Sequence, residues 1–401
     1  MKRACLFIAF FCSSAIIIAQ QRVTAYVFDE ETKKPIDLVA VVSSVDYTIT
    51  NSEGGFAIKV TKDDKIKLTH LSYQAKNVDF VQLSDSIFLS PRVYSLDEVI
   101  VLPKDVIYRR ITAVWEKYDK LFARKRERDF PQQTFYFRQL TQENEMYTEY
   151  FECFFTAPVN VSVQTMTLQE SRYALINQDS TATIINYFIL SQLPAFSRFR
   201  AISDYTVNGF LVKNFKKYYD IRLDRVMSEG TEDEVEVYKF TPYEVMISEN
   251  AMMLSGFLYI RSKDLAIVRM EIITKNILLR DIPDIVDETY NFTVTYRDGI
   301  ESYPVVETVK CDTEVSFMRS GKEHRLKMYS VLFATDFKLE SGGKKMRKGD
   351  YLLLKVTNAE YNQEFWDNNP IIKRTKIEQQ VVDDFNRHGY FGTMDLNKAE
   401  N

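Results

Sequence analysis

From residue 22 onward, apolar and polar positions alternate with a period of two. Val23, Ala25 and Val27 stand against Arg22, Thr24 and Tyr26, the pattern of a strand with one buried face. Leu38 to Val42 is continuously apolar, as an inner strand requires, and Phe56, Ile58 and Val60 alternate again. Ile66 and Leu68, then Ile87-Phe88-Leu89, complete the set. Asp29 to Pro35 is a polar turn between strands, and Asn51-Ser52-Glu53-Gly54-Gly55 is a turn that uses glycine's positive φ. Short strands at this spacing predict an antiparallel sandwich over residues 20–101.

The period then changes. Ile107, Ile111, Val114, Tyr118 and Leu121 lie at helical spacing within Asp105–Phe122, with Asp105 as N-cap. The basic run Arg124 to Arg128 follows, so residues 102–130 read as a helical linker. From Gln133 the alternation returns in longer segments: Phe135/Phe137, Tyr147–Phe155, Tyr219–Met227, Val235–Phe240, Gly256–Ile260 and Ala266–Ile273. Tyr290–Tyr296, Val305–Phe317, Leu326–Phe337 and Tyr351–Val356 continue it. Arg261-Ser262-Lys263-Asp264 and Arg297-Asp298-Gly299 read as hairpin turns. Residues 131–401 should therefore form one large antiparallel sheet, curved or half-closed. A terminal helix is expected at Thr375–Asn386, with Ile377, Val381 and Phe385 on one face.

Three further features alter this picture. Met1-Lys2-Arg3 precedes an apolar stretch, Ala4 to Ala19, that ends at a small residue before Gln20-Gln21, the layout of a secretory signal peptide. Cleavage after residue 19 would leave 401 − 19 = 382 residues and move the net charge from −4 to −6. That mild acidity argues against nucleic acid or an anionic membrane surface as the main partner. The 24 Tyr and 28 Phe favour strands over helices. Cys153 and Cys311 would remain after cleavage, and export permits either a disulfide or two buried thiols.

The residues also carry a family resemblance. Val23-Thr-Ala-Tyr-Val-Phe-Asp29, Lys34-Pro35, Thr50-Asn-Ser-Glu-Gly-Gly-Phe56, Leu68-Thr-His-Leu-Ser-Tyr73 and Tyr94-Ser-Leu-Asp-Glu-Val-Ile-Val101 together resemble the carboxypeptidase-regulatory-like domain of Bacteroidetes envelope proteins. That resemblance implies a transthyretin-like β-sandwich. The sequence departs from the pattern at two turns: Lys34 precedes Pro35 where a glycine is usual, and Gln74-Ala75 replace a Gly-Tyr pair. The hairpin Gly256-Phe-Leu-Tyr-Ile-Arg-Ser-Lys-Asp-Leu-Ala-Ile-Val268 is similar to the half-barrels of lipoprotein carriers. The whole therefore reads as mainly β, a transthyretin-like sandwich followed by a large curved sheet or half-barrel with a few helices.

A search for chemistry finds no catalytic constellation. His70, His324 and His388 lie far apart with no H-x-x-E or H-E-x-x-H pairing, so neither a zinc peptidase nor another metal site is expected. There is no G-x-S-x-G elbow, and the aromatic neighbours of Cys153 suggest a structural thiol. Gly54-Gly55 and Gly342-Gly343 read as turns rather than phosphate loops. Asp63-Asp64, the Asp281/Asp284/Asp287/Glu288 group and Asp383-Asp384 read as solvated turns, and the basic run Lys344 to Lys348 as a charged hairpin tip. The sharper candidate is apolar. Tyr187, Phe188, Leu190, Leu193 and Phe196 would form a lid over a groove for a lipid or peptide, or else ordinary core beneath a loop. The expectation is a non-enzymatic exported envelope protein that needs no cofactor, located in the periplasm or peripheral to the outer membrane. It would bind an envelope protein partner or a lipid or peptide ligand. An accessory role in TonB-dependent transport or lipoprotein handling is the alternative, and a hydrolase comes last.

Overall fold

The computed structural model describes residues 20–92, 102–122, 131–158, 167–176, 214–244, 254–274, 284–300, 303–335, 344–345, 361–369 and 371–392. Contacts divide the chain into two compact units, Met1–Leu89 and Ser90–Asn401.

Among the described residues the first unit holds seven strands: β1 (Gln21–Asp29), β2 (Ala40–Val42), β3 (Tyr47–Ile49), β4 (Gly55–Val60), β5 (Lys65–His70), β6 (Tyr73–Asp79) and β7 (Ser86–Leu89). They form two sheets, ordered β4-β1-β7 and β3-β2-β5-β6. The residues that alternate in sequence are the ones the sheets bury: Ala25, Val27, Phe56, Ile58, Val60, Ile66, Leu68, Ile87 and Leu89 share one core. One pairing differs from the antiparallel expectation, because β1 and β7 run parallel. The turn after β1 is fixed by its aspartate. The Asp29 carboxylate accepts from the Glu31 and Thr32 amides at 2.9 and 2.6 Å and from the Tyr73 hydroxyl at 2.8 Å. With no glycine in that turn, Lys33 takes the left-handed conformation itself, at φ 59°. In the next turn only Gly54 needs positive φ: a Cβ there would stand 2.3 Å from the Val27 carbonyl oxygen, and Gly55 already belongs to β4.

The second unit is built on one large antiparallel sheet. Its strands are β8 (Gln132–Glu143), β9 (Met146–Pro158), β10 (Thr167–Leu175), β11 (Tyr219–Met227), β12 (Val235–Pro242), β13 (Leu254–Arg261), β14 (Ala266–Thr274), β15 (Ile285–Ile300), β16 (Tyr303–Arg319), β17 (Lys322–Thr335) and β18 (Lys344–Lys345). Their order is β11-β12-β13-β14-β15-β16-β17-β8-β9-β10-β18. Strands β11 to β17 meander, and β8 then joins the far side of β17, with Leu326 opposite Glu143 and Thr335 opposite Thr134. Among the described residues the sheet is open rather than closed into a barrel.

Helices cover both faces. Helix α1 (Lys104–Phe122) puts Ile107, Ile111, Val114 and Tyr118 into the same core as Phe135, Phe137, Phe151, Phe155, Leu258, Met270, Phe292 and Leu332. Polar contacts fix its position, among them Lys104 to Asp220 at 2.8 Å, Arg110 to Glu236 at 2.7 Å, and the Tyr118 hydroxyl accepting from the Ile267 amide at 2.8 Å. The helix expected as a linker is thus a core element. On the opposite face, α2 (Gln363–Asn368) and α3 (Lys376–Arg387) lie against β8, β9 and β10.

Several expectations shift in detail. Helix α1 starts at Lys104, so Asp105 lies in its first turn rather than at its cap. Thr375 caps α3 in a capping box with Glu378, and the buried face is Glu378, Val381, Val382 and Phe385, while Ile377 is half exposed. The turn expected at Arg297-Asp298-Gly299 is strand, because β15 runs on to Ile300, which pairs with Tyr303. The strand expected at Tyr351–Val356 lies outside the described residues.

Candidate functional site

Successive side chains of β8, β9 and β10 point to opposite faces, and each face carries charge that the aromatic pattern conceals. On the α1 face, Phe135, Phe137, Phe151, Cys153 and Phe155 are interrupted by Gln139, Thr141, Glu149, Ser171 and Tyr173, all of them buried. Pairing registers set their arrangement. Thr141 is opposite Glu149, Gln139 and Tyr173 flank Phe151 on either side, and Ser171 is opposite Cys153. The Thr141 hydroxyl donates to Glu149 Oε2 at 2.8 Å, and Gln139 Nε2 reaches Thr141 Oγ1 at 3.3 Å and Glu149 Oε2 at 3.5 Å. Burial pushes the Glu149 carboxyl above its ordinary range, because the hydrogen bonds from Thr141, Tyr173 and Gln139 do not offset the lost water. Tyr173 faces the same carboxyl, and burial, that charge and its hydrogen bond to Glu149 raise its hydroxyl. Gln139 Oε1 and Ser171 Oγ are buried without partners. Natural cores leave few such atoms, and each calls for an explanation.

The α3 face holds a different cluster. Glu152 receives Arg172 Nε at 2.7 Å and Arg374 at 3.5 Å, with the Tyr136 hydroxyl on its other oxygen. Arg138 pairs with Glu378 at 3.2 Å and donates to the Ile372 carbonyl at 3.1 Å. Burial alone would raise the Glu152 carboxyl, but Arg172, Arg374 and Arg138 outweigh it and bring the group down to about 2. The Arg172 guanidinium lies 4.9 to 5.4 Å from the ring centroids of Trp366, Phe391 and Tyr150. This cluster ties the C-terminal helices to the sheet through charge and cation–π contacts. Its charges are paired with one another, while Arg138 Nε and Trp366 Nε1 are buried without a hydrogen-bond partner, and the ion pairs make the cluster a clamp.

The groups singled out in the sequence disperse. Tyr187, Phe188, Leu190, Leu193 and Phe196 lie outside the described residues. Each histidine is engaged locally: His70 Nδ1 accepts from the Ser72 amide, His324 meets Glu143 at 2.8 Å, and His388 lies beside Asp384. No group of three or more potential metal ligands occurs among the described residues. Asp281 lies outside the described residues; Asp284 and Asp287 are exposed while Glu288 is buried on the α1 face under the Tyr290 hydroxyl, so these three do not converge. Cys153 and Cys311 are buried and unbridged. They sit on β9 and β16, three strand spacings or about 14 Å apart, beyond the reach of a disulfide. The residues that do converge, Glu149 with Gln139 and Tyr173, were not singled out in the sequence. Their available signal was polar character at buried register positions within aromatic strands.

No protein-family model matches the chain, and no curated protein is significantly similar to it. Among solved structures, MucB in its crystal structure with MucA(peri) is similar over 57% of this chain and 94% of its own, at 6% identity and a TM-score of 0.16. A likeness that loose supports no argument.

Proposed function

We propose that this chain is a non-catalytic exported cell-envelope protein whose larger unit binds a small amphiphilic ligand on the α1 face of its sheet. The N-terminal sandwich would serve as its docking module for an envelope protein partner. One observation carries the reading: a group of buried oxygens lacking protein partners interrupts an otherwise aromatic face next to α1. Binding sites have this composition, a mostly apolar wall with a few polar groups that orient the ligand. The sequence features behind export are the basic-apolar-small leader and the envelope-domain resemblance of residues 22–101.

Mass spectrometry of the protein purified from its native envelope tests both parts. A stoichiometric small molecule, lost when Gln139 and Glu149 are replaced by leucine, supports the binding reading. Purification of the native protein without such a molecule, and with no affinity for added amphiphiles, removes it. N-terminal sequencing of the same sample shows whether the chain begins at Gln20.

A further inference from the structure

We infer that His324 is a proton-driven latch: charging its ring releases the Asn144 amide that ties the β8–β9 turn to β17. The latch needs no ligand and stands apart from the binding reading above. It lies where two hairpin ends meet. The β8–β9 turn, Asn144-Glu145, takes left-handed φ at both residues, 46° and 76°, with no glycine to ease it. β17 holds this turn in place. The Asn144 amide donates to the Arg325 carbonyl at 3.0 Å, and the Arg325 amide donates to Asn144 Oδ1 at 3.0 Å. A backbone N–H can only donate, so the second bond fixes which end of the Asn144 side chain is oxygen. The other end, Nδ2, lies 3.1 Å from His324 Nδ1. That same ring nitrogen lies 2.8 Å from Glu143 Oε1.

Nδ1 thus faces a donor and an acceptor at once, and a ring nitrogen serves only one of them. With its hydrogen on Nε2 the neutral ring accepts from Asn144. With a hydrogen on Nδ1 it donates to Glu143. Arg319 Nη1 lies 3.2 Å from the same Glu143 oxygen, so the carboxylate stays paired while the neutral ring serves Asn144. A proton taken from solvent reverses the choice. The charged ring carries hydrogen on both nitrogens, and its bond to a carboxylate outweighs a neutral amide contact. Asn144 Nδ2–H then meets Nδ1–H, and the side chain swings away, giving up the Arg325 amide. Other charges near the ring are mixed in sign: Lys322, Glu323 and Arg325 on β17, Glu145 in the turn, and Asp284 before β15, whose carbonyl accepts from the Met318 amide. The ring itself stacks on Phe317 of β16, 5.4 Å between centroids. Glu143, the acid in direct contact, therefore decides. A polar cleft of about 410 Å³ has Asn144, His324, Arg325 and Lys327 in its lining, so release of Asn144 opens one of its walls.

Nitrogen NMR of the uniformly ¹⁵N-labelled full chain between pH 8 and pH 5, the interval in which histidines change charge, tests the latch. Comparison with His324→Gln identifies the ring signals. At pH 8 the His324 ring should carry its hydrogen on Nε2 alone. On acidification both ring nitrogens should become protonated, and the Asn144 side-chain and Arg325 backbone amide signals should move with the same midpoint. In Glu143→Gln those two signals should need severalfold more acid to move, and in His324→Gln they should stay still. A hydrogen on Nδ1 at pH 8 would mean that Glu143 holds the ring in both forms, and would overturn the latch. Asn144 and Arg325 signals that stay fixed while the ring titrates, or that move equally in His324→Gln, would overturn it as well. Should either variant fold poorly by circular dichroism, the ring hydrogen and the shared midpoint in the parent protein decide.

Discussion

The two cysteines show how side-chain environment, rather than residue type, sets reactivity. Burial raises both thiols, Cys153 well above the ordinary range and Cys311 to about 12, so neither offers a thiolate at neutral pH. Native protein treated with an alkylating reagent should leave both unmodified, and unfolding in denaturant should expose both to labelling, read by peptide mass spectrometry. Labelling of either site in folded protein would contradict the placement. Glu149 gives a second residue-scale test. Its folded pKa is raised, so its contribution is intact below the unfolded value and is lost as pH rises through the folded one. Glu149→Gln has no such loss. In the absence of ligand its stability advantage should grow as pH rises from about 4.5 to the folded pKa and stay constant beyond, measured by denaturant melts along a pH series. The structural thiol was legible in the sequence, from the aromatic neighbours of Cys153. Glu149 was not, because it showed only a polar residue in a strand whose register was still unknown.

Elements were far more legible than residues, because a strand or helix is written in the spacing of several side chains at once. Tyr219–Met227 coincides with β11, and Ala266–Ile273 with β14 to within one residue. Where expectation slipped, a local conformation overrode the pattern. Arg297-Asp298-Gly299 has turn composition, yet irregular pairing between Arg297 and Ile300 absorbs it into β15. On α3 the apolar spacing favoured Ile377, but the capping box turns Glu378 inward to meet Arg138, and Ile377 faces outward. Glycine chemistry offers the cleanest element-scale prediction. Gly256 in β13 has φ 142°, and a Cβ there would lie 1.9 Å from the Glu271 carbonyl oxygen on β14. Gly321, in the β16–β17 turn, has φ 75° and open space around it. Gly321→Ala should therefore cost about 1 kcal/mol from backbone strain alone. Gly256→Ala must also force two strands apart and should cost about 3 kcal/mol or more. Equal melting midpoints for the two variants would contradict the β13–β14 approach.

At the scale of the whole second unit, local patterning could not reveal which strands meet. The meander from β11 to β17 follows chain order, but the pairing of β17 with β8 joins residues about 180 to 200 positions apart, and the C-terminal helices return to that same graft. Charge fixes the return. Sheet residues Arg138, Glu152 and Arg172 are matched by Arg374 and Glu378 from the tail. Buried ion pairs of this kind add little net stability compared with well-packed apolar residues, but breaking one leaves a stranded charge. Glu378→Ala should accordingly cost about 3–5 kcal/mol, since Arg138 keeps its charge and is left with the Ile372 carbonyl as acceptor. Arg138→Met combined with Glu378→Leu removes both charges and fills similar volume. That double variant should recover most of the loss, to within about 1.5 kcal/mol of the parent. A chemical-denaturation cycle over the parent, both single variants and the double variant measures the coupling directly. If Arg138 and Glu378 serve to register the tail on β8, the double variant should keep its stability while amide exchange across α3 speeds up. Additive losses in the cycle would show that the tail is held by Trp366, Phe385 and Phe391 alone.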